Sequence, residues 1–200
     1  MKKDTIFEEA YLVAINSDET ELTRWDIIKE KFSLEKREEL DESTFAEYVK
    51  ELLVIAVVDE QLAELNYLQS YNLSKTEGKS DFDPEFEQHE SDERQHKYDL
   101  INRLRELDAE IIFAPIDQWI PLNSRGTEWK QDFSNNSFEL IKNRLIEEEQ
   151  AVEFYGLATE FLRGTSDTTT YTLFKKIKED EEEHVKDLRD LAREYGVIKD

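Results

Sequence analysis

Two nine-residue stretches of the chain share a pattern of residue types that can bind metal. DERQHKYDL begins at Asp92 and DEEEHVKDL begins at Asp180, so both follow Asp-Glu-x-x-His-x-x-Asp-Leu. The frames lie 88 positions apart and hold two of the three histidines in the chain. Residues three positions apart share one face of a helix, so each frame can present a carboxylate and an imidazole to one ligand.

The same 88-residue offset relates residues outside the two frames. Glu60 pairs with Glu148 at this offset, and Tyr67 pairs with Tyr155. The offset also selects one glutamate from the acidic run 147–149 and Glu181 from the run 181–183. The chain therefore reads as an internal repeat, which predicts two equivalent helix pairs related by a pseudo-twofold axis.

Six side chains of the repeat are predicted to converge inside such a bundle: Glu60, Glu93, His96, Glu148, Glu181 and His184. Burying four carboxylates is prohibitive unless cations neutralise them, and two divalent cations match their charge. Mixed carboxylate and imidazole ligation suits iron or manganese better than structural zinc. One Glu from each of two helices and Glu-x-x-His from each of the other two make up the ligand set of carboxylate-bridged di-iron bundles. The repeat therefore predicts a two-metal site.

Five further residues in these segments could interact with the six predicted ligands. Tyr67 and Tyr155 can hydrogen-bond the ligating carboxylates or transfer single electrons, and the alternative is that they are core tyrosines. Asp92 and Asp180 are predicted to orient a histidine of the partner helix by accepting its free N–H. His89 has an isoleucine as its repeat counterpart. We expect it at the surface or rim and not among the ligands.

Four long segments of helical periodicity position these residues. They run from about Ser43 to Tyr71, Asp83 to Glu110, Asn136 to Arg163, and Asp167 to Gly196. A loop from Asn72 to Pro84 separates the first two, with Asp83 as the expected helix cap before a proline. The sequence predicts an all-α fold, a four-helix bundle of two antiparallel hairpins joined by a long crossover between the second and third helices. Residues 43–200 form this bundle, and residues 1–42 are an N-terminal extension with short helices around 7–15 and 22–32.

Composition narrows the classes of partner. The formal net charge of −23 disfavours nucleic acid, whose phosphates it would repel. The chain has no cysteine, which excludes thiolate zinc and iron–sulfur centres. No apolar run approaches the length needed to span a membrane, and the N-terminus has no signal-peptide pattern. We expect a soluble, cytoplasmic protein.

The motifs resemble those of the ferritin-like superfamily over about residues 44–195. EQLAELNYL is similar to the first-helix pattern of that superfamily, and a histidine on both sides resembles bacterioferritins and rubrerythrins. ELDAEI, APIDQWIPL, EEEQAVEFY and DEEEHVKDL are similar to Dps-like proteins with a bacterioferritin-type di-iron site. Two departures stand out. The cysteine pair of that group is replaced by Ala114 and Gln150, and the only methionine is Met1, so haem binding is not expected.

The resemblance implies a ferroxidase that binds two iron ions per chain, with manganese as a possible metal. It implies oxidation of Fe(II) by O2 or H2O2 and storage of Fe(III) in a hollow homo-oligomeric shell of about 12 or 24 subunits, as protection against iron and peroxide stress. An alternative is a non-storing, peroxide-consuming di-metal enzyme of the rubrerythrin or manganese-catalase kind. A third reading is a helical interaction module whose metals are structural or absent.

Overall fold

The computed structural model describes residues 24–79, 81–109 and 136–198. All regular structure among these residues is helical, in six helices. They are α1 (Arg24–Lys31), α2 (Leu34–Glu38), α3 (Glu42–Glu77), α4 (Asp83–Glu106), α5 (Ser137–Leu162) and α6 (Thr168–Glu194). No helix in these described ranges is both long and apolar enough to cross a membrane.

The four long helices form two hairpins, α3 with α4 and α5 with α6. The hairpins face each other through α3 against α5 and α4 against α6. The predicted all-α four-helix bundle of two hairpins is confirmed. The predicted crossover between the second and third long helices falls at residues 110–135, outside the described residues.

Side-chain caps fix where three of the long helices begin. Asp41 accepts from the backbone N–H of Thr44 at 2.8 Å at the start of α3, and Asp167 accepts from the N–H of Thr170 at 3.0 Å at the start of α6. Asn136 caps α5 in the same manner. Each cap satisfies a backbone donor that the first helical turn leaves without a partner.

The first hairpin departs from the predicted loop in two respects. Helix α3 continues to Glu77, so the expectation that the loop begins at Asn72 is wrong. Asn72 and Thr76 turn their side chains back onto carbonyls four residues earlier, which lets these polar residues stay helical. The expected cap by Asp83 is also wrong, because its carboxylate accepts from Ser74 instead and α4 begins without a side-chain cap.

The two short helices pack across the outside of α3 and α5. Ile28 and Phe32 join the apolar cluster of the long helices, and Phe32 meets the ring of Phe161 edge-on. Arg37 donates to the carbonyls of Phe161 and Arg163, each at 3.0 Å, at the end of α5. Helix α1 falls within the predicted helix around 22–32, whereas the predicted helix around 7–15 lies outside the described residues. The division of the chain at residue 42 stays a prediction.

The core of the bundle consists of two apolar clusters separated by a polar layer. One cluster includes Leu52, Leu100 and Phe174, and the other includes Phe86 and Leu188. Between them along every long helix lie buried glutamates or histidines. The apolar clusters hold the four helices at fixed spacing, and that spacing sets the geometry of the layer between them.

Candidate di-metal centre

The polar layer is made of the six residues that the repeat singled out. Glu60 comes from α3, Glu148 from α5, and one Glu-x-x-His pair from each of α4 and α6. All six residues are buried, none more than 4% exposed. The structure brings them together in the middle of the bundle, while their identity as metal ligands stays a prediction.

The six side chains divide into two groups of four that share two members. The first group is Glu60, Glu93, His96 and Glu181, and the second is Glu93, Glu148, Glu181 and His184. Within each group, one potential ligand atom per residue lies within 4.8 Å of all the others. Because Glu93 and Glu181 belong to both groups, they are placed to bridge two adjacent cations.

Both histidines turn the same ring atom towards the carboxylates. His96 Nδ1 lies 3.3 Å from Glu60 and 3.2 Å from Glu181. His184 Nδ1 lies 3.4 Å from Glu93 and 3.2 Å from Glu181. Nδ1 is therefore the ring nitrogen available to a cation in each half.

Several buried atoms in the layer have no hydrogen-bond partner. They are Glu60 Oε2, Glu93 Oε1, Glu181 Oε1 and His96 Nδ1. An unsatisfied polar atom away from water costs free energy, more so when it carries charge. These atoms are the carboxylate and imidazole donors that a divalent transition metal takes. The donor set therefore fits a pair of divalent cations.

The other ring nitrogen of each histidine meets an aspartate of the opposite hairpin. His96 Nε2 lies 3.1 Å from Asp180 Oδ2, and His184 Nε2 lies 3.5 Å from Asp92 Oδ2. A carboxylate that accepts the Nε2–H fixes the tautomer, so the lone pair stays on Nδ1. Each Glu-x-x-His helix thus places an aspartate against the histidine of the other, and the orienting role of these aspartates stays a prediction.

The two tyrosines also act across the hairpins. Tyr67 donates its hydroxyl hydrogen to Glu148, and Tyr155 donates to Glu60. Burial raises the pKa of both phenols well above the usual range, and the charges of Glu148 and Glu60 raise them further. Both phenols therefore stay protonated and hold one oxygen of a terminal carboxylate in place.

Burial also acts to raise the pKa values of three of the four glutamates. It raises the pKa of Glu93 well above its usual range, and the neighbouring charges of Glu181 and Glu60 add to the rise. The pKa of Glu148 is raised by the same two causes, burial and the charge of Glu181. For Glu181, burial would raise the pKa, but the adjacent imidazoles of His184 and His96 outweigh it and the pKa falls.

For the two histidines, burial acts to lower the pKa and the neighbouring carboxylates act to raise it. Burial alone would lower the pKa of His96, but the adjacent carboxylates of Glu181 and Glu60 outweigh it and raise the pKa. Hydrogen bonds to Asp92 and Glu148 likewise overcome burial and raise the pKa of His184. In the metal-free protein, protons on these groups supply positive charge among the carboxylates. A cation that binds must displace them.

His89 was expected at the surface or rim, and that expectation is wrong. The residue is 1% exposed, and its ring stacks on His184 with centroids 4.0 Å apart. His89 Nδ1 lies 3.0 Å from the Tyr67 hydroxyl. The sequence held a signal for this position, because His89 lies seven residues before His96 on the same helical face. Its repeat counterpart Ile177, which is also buried, indicated an inward-facing position.

Arg144 is a second residue that the sequence did not single out. It is 1% exposed, and its Nη1 lies 2.8 Å from Glu147 Oε2. The repeat counterpart is Ala56, in the apolar cluster of the other half. The two halves of the centre therefore carry equivalent ligands in different surroundings.

Comparisons with known proteins agree with this architecture. Residues 35–195 match the family model described as a ferritin-like domain. A solved bacterioferritin-related protein from Bacteroides fragilis, described as a dodecameric thioferritin, is similar with a TM-score of 0.66 and 24% identity, over 76% of this chain and 88% of its own. No curated protein matches the chain.

A bacterioferritin from Rhodobacter capsulatus, solved with a metal-free dinuclear site and haem iron, has the same fold. Its TM-score is 0.62 at 20% identity, over 74% of this chain and 86% of its own. Because the family model covers most of the sequence, the chain belongs to the ferritin-like family. The narrower likeness to Dps-like proteins stays a prediction.

Proposed function

We propose that this member of the ferritin-like family is a ferroxidase, whose di-metal centre binds two Fe(II) ions and oxidises them. The observation that carries the proposal is the sharing of Glu93 and Glu181 between the two four-ligand groups. Shared carboxylates keep two cations adjacent, so one oxidant molecule can take an electron from each. Manganese fits the same ligands, and iron is proposed as the metal because O2 oxidises Fe(II) more readily than Mn(II).

The electron balance requires two metals. Two Fe(II) ions give up one electron each, and O2 takes both electrons and two protons to become H2O2. With H2O2 as oxidant, two electrons and two protons yield two water molecules. Anionic carboxylates stabilise Fe(III) more than Fe(II), because the electrostatic attraction grows with the charge on the metal. The four glutamates therefore favour the oxidised product.

The neighbouring residues keep the ligands oriented during this change. Asp180 and Asp92 hold the imidazoles with Nδ1 towards the metals. Tyr67 and Tyr155 hold Glu148 and Glu60 by their outer oxygens. Because hydrogen bonds to these neighbours keep the ligands in place, the site can release Fe(III) and bind new Fe(II) without rearranging.

Storage is the second part of the proposal. We infer that the Fe(III) passes into the cavity of a hollow homo-oligomer, in line with the dodecameric description of the Bacteroides fragilis relative. The formal net charge of −23 would attract Fe(II) towards the assembly. We propose a cytoplasmic role in limiting free iron, and in limiting peroxide where H2O2 is the oxidant. The absence of haem remains an expectation.

Iron retention tests the proposal. Increasing Fe(II) is added aerobically to metal-free protein, the mixture is passed over a sizing column, and iron per chain is counted in the protein peak. A ferritin will retain far more than about two iron ions per chain in a large species. A plateau at about two in a small species would instead indicate the non-storing, peroxide-consuming enzyme. Iron near zero would support the helical interaction module and contradict the metal centre.

A further inference from the structure

A second cluster of metal-binding side chains lies beside the di-metal centre. Glu85, His89 and Asp187 each offer a ligand atom within 4.8 Å of the others. His89 also forms such a group with Glu148 and His184, which belong to the centre itself. His89 therefore lies between the di-metal centre and two carboxylates that reach solvent.

The hydrogen bonds of His89 fix which ring nitrogen faces these two carboxylates. The Tyr67 hydroxyl donates its one hydrogen to Glu148, so its oxygen can only accept from His89 Nδ1, 3.0 Å away. With the hydrogen on Nδ1, the neutral imidazole has its lone pair on Nε2. That atom lies 3.0 Å from Glu85 Oε1. A lone pair and a carboxylate oxygen repel each other at this distance unless a proton or a metal cation lies between them.

The cluster combines one buried ligand with two ligands that solvent reaches, as a site that takes up a cation from solvent requires. The side chain of His89 is 2% exposed and that of Glu85 is 33% exposed, and Asp187 is 35% exposed. Asp187 Oδ1 pairs with Lys186 at 3.0 Å, but the lysine side chain is 68% exposed, so the pair is weak and the ammonium can move aside. A hydrated cation can therefore reach the carboxylates from solvent.

The other half of the bundle lacks this cluster. At the repeat offset, Leu173 stands in place of Glu85, Ile177 in place of His89, and Asp99 in place of Asp187. Only the aspartate has a counterpart that can bind a cation. Any cation bound by the cluster therefore lies on the side of His184.

We propose that Glu85, His89 and Asp187 bind a third divalent cation, next to the half of the centre that contains Glu148 and His184. One imidazole and two carboxylates suit Fe(II), Mn(II) or Zn(II), and the open side leaves room for water ligands. With three protein ligands, the site holds its cation less tightly than the four-ligand groups. The site is defined by binding alone, so it is tested without any oxidation.

Mn(II) binding to the metal-free full-length protein tests the proposal. Unbound Mn(II) is followed by its electron paramagnetic resonance signal during a titration. We expect about three bound Mn(II) per chain in the wild type and about two in Asp187→Asn and in Glu85→Gln. Asp99→Asn makes the same change at the equivalent position of the other half, and we expect it to keep about three. Circular dichroism verifies that all the variants keep the helical fold.

The outcomes separate this proposal from the ferroxidase. About two Mn(II) per chain in the wild type, or equal losses in Asp187→Asn and Asp99→Asn, would overturn the third site and leave the di-metal centre intact. About one Mn(II) per chain in the wild type, abolished by Asp187→Asn, would support the third site and contradict the centre. No bound Mn(II) would contradict both.

Discussion

The two halves of the di-metal centre differ in what lies behind the ligands. In the half that contains His96 and Glu60, the repeat counterparts of His89 and Arg144 are Ile177 and Ala56, which both belong to the apolar core cluster. Behind His184 and Glu148 lie buried His89 and, one turn earlier on α5, buried Arg144. The internal repeat thus supplies equivalent ligands, and divergence around them makes two inequivalent metal positions.

The residues that both halves share are those next to the metal positions, and the residues farther out differ between the halves. The ligands, the aspartates that orient the histidines and the tyrosines that hold the carboxylates all occur in both halves. His89 and Arg144, which lie farther from the metal positions, occur in one half alone. Matched substitutions at positions related by the 88-residue offset can therefore test the ligands, the aspartates and the tyrosines in turn.

The largest effect is expected from the shared carboxylates. Glu181→Gln or Glu93→Gln removes an anionic ligand from both groups, whereas Glu60→Gln or Glu148→Gln removes one from a single group. We expect the first pair to weaken both high-affinity Co(II) sites in calorimetric titrations, by more than about 100-fold, and the second pair to weaken one. Equal losses in all four variants would contradict the bridging arrangement.

The aspartates should give the next largest effect. Asp180→Asn and Asp92→Asn each remove the charge that orients one histidine, so each should weaken Co(II) binding in one half by about 10- to 100-fold. The effect of Asp180→Asn should be the greater, because its contact with His96 is 3.1 Å against 3.5 Å for Asp92 with His184. Asp99→Asn, on the same helix as Asp92, is the control. An effect as large in the control would mean that surface charge alone is responsible.

The pH dependence tests what the halves have in common. The raised pKa values of His96 and His184 mean that these imidazoles keep their protons to a higher pH than a free histidine does in the metal-free protein. Cation binding displaces them, so affinity should rise with pH, by about tenfold per pH unit for each displaced proton. Proton release into a weakly buffered indicator solution measures the number directly. Binding without proton release would contradict the protonation pattern.

The smallest effect is expected from the tyrosines. Tyr155→Phe leaves one buried oxygen of Glu60 without a donor, which should lower the free energy of unfolding by about 1–3 kcal/mol. Tyr67→Phe does the same to Glu148 and also removes the partner of His89 Nδ1. We expect it to cost about 1 kcal/mol more in urea unfolding of the metal-free protein. Equal losses would mean that the contact between His89 and Tyr67 contributes nothing.

The fold was predictable from the sequence because its signals are local. Helical periodicity alone placed the second hairpin within a few residues of its observed bounds. The end of α3 was missed because Asn72 and Thr76 favour turns as isolated residues. Their side-chain bonds to earlier carbonyls exist only once the helix has formed.

The centre was predictable for a different reason, since the repeat doubled a signal that would be weak alone. His89 escaped because it breaks the repeat, and its role depends on contacts with Tyr67 and His184 that only the packed bundle creates. Arg144 escaped for the same reason. Symmetry in the sequence located the ligands, and departures from that symmetry needed the structure.

Rapid mixing of metal-free protein with aerobic Fe(II) shows whether two iron ions are oxidised together at the di-metal centre. The absorbance of Fe(III) is recorded while the ratio of iron to protein is increased. We expect a fast phase whose amplitude saturates at about two Fe(II) oxidised per chain in the wild type and is lost in Glu181→Gln. Saturation at about one per chain, or a fast phase that survives in Glu181→Gln, would contradict a bridged pair of iron ions.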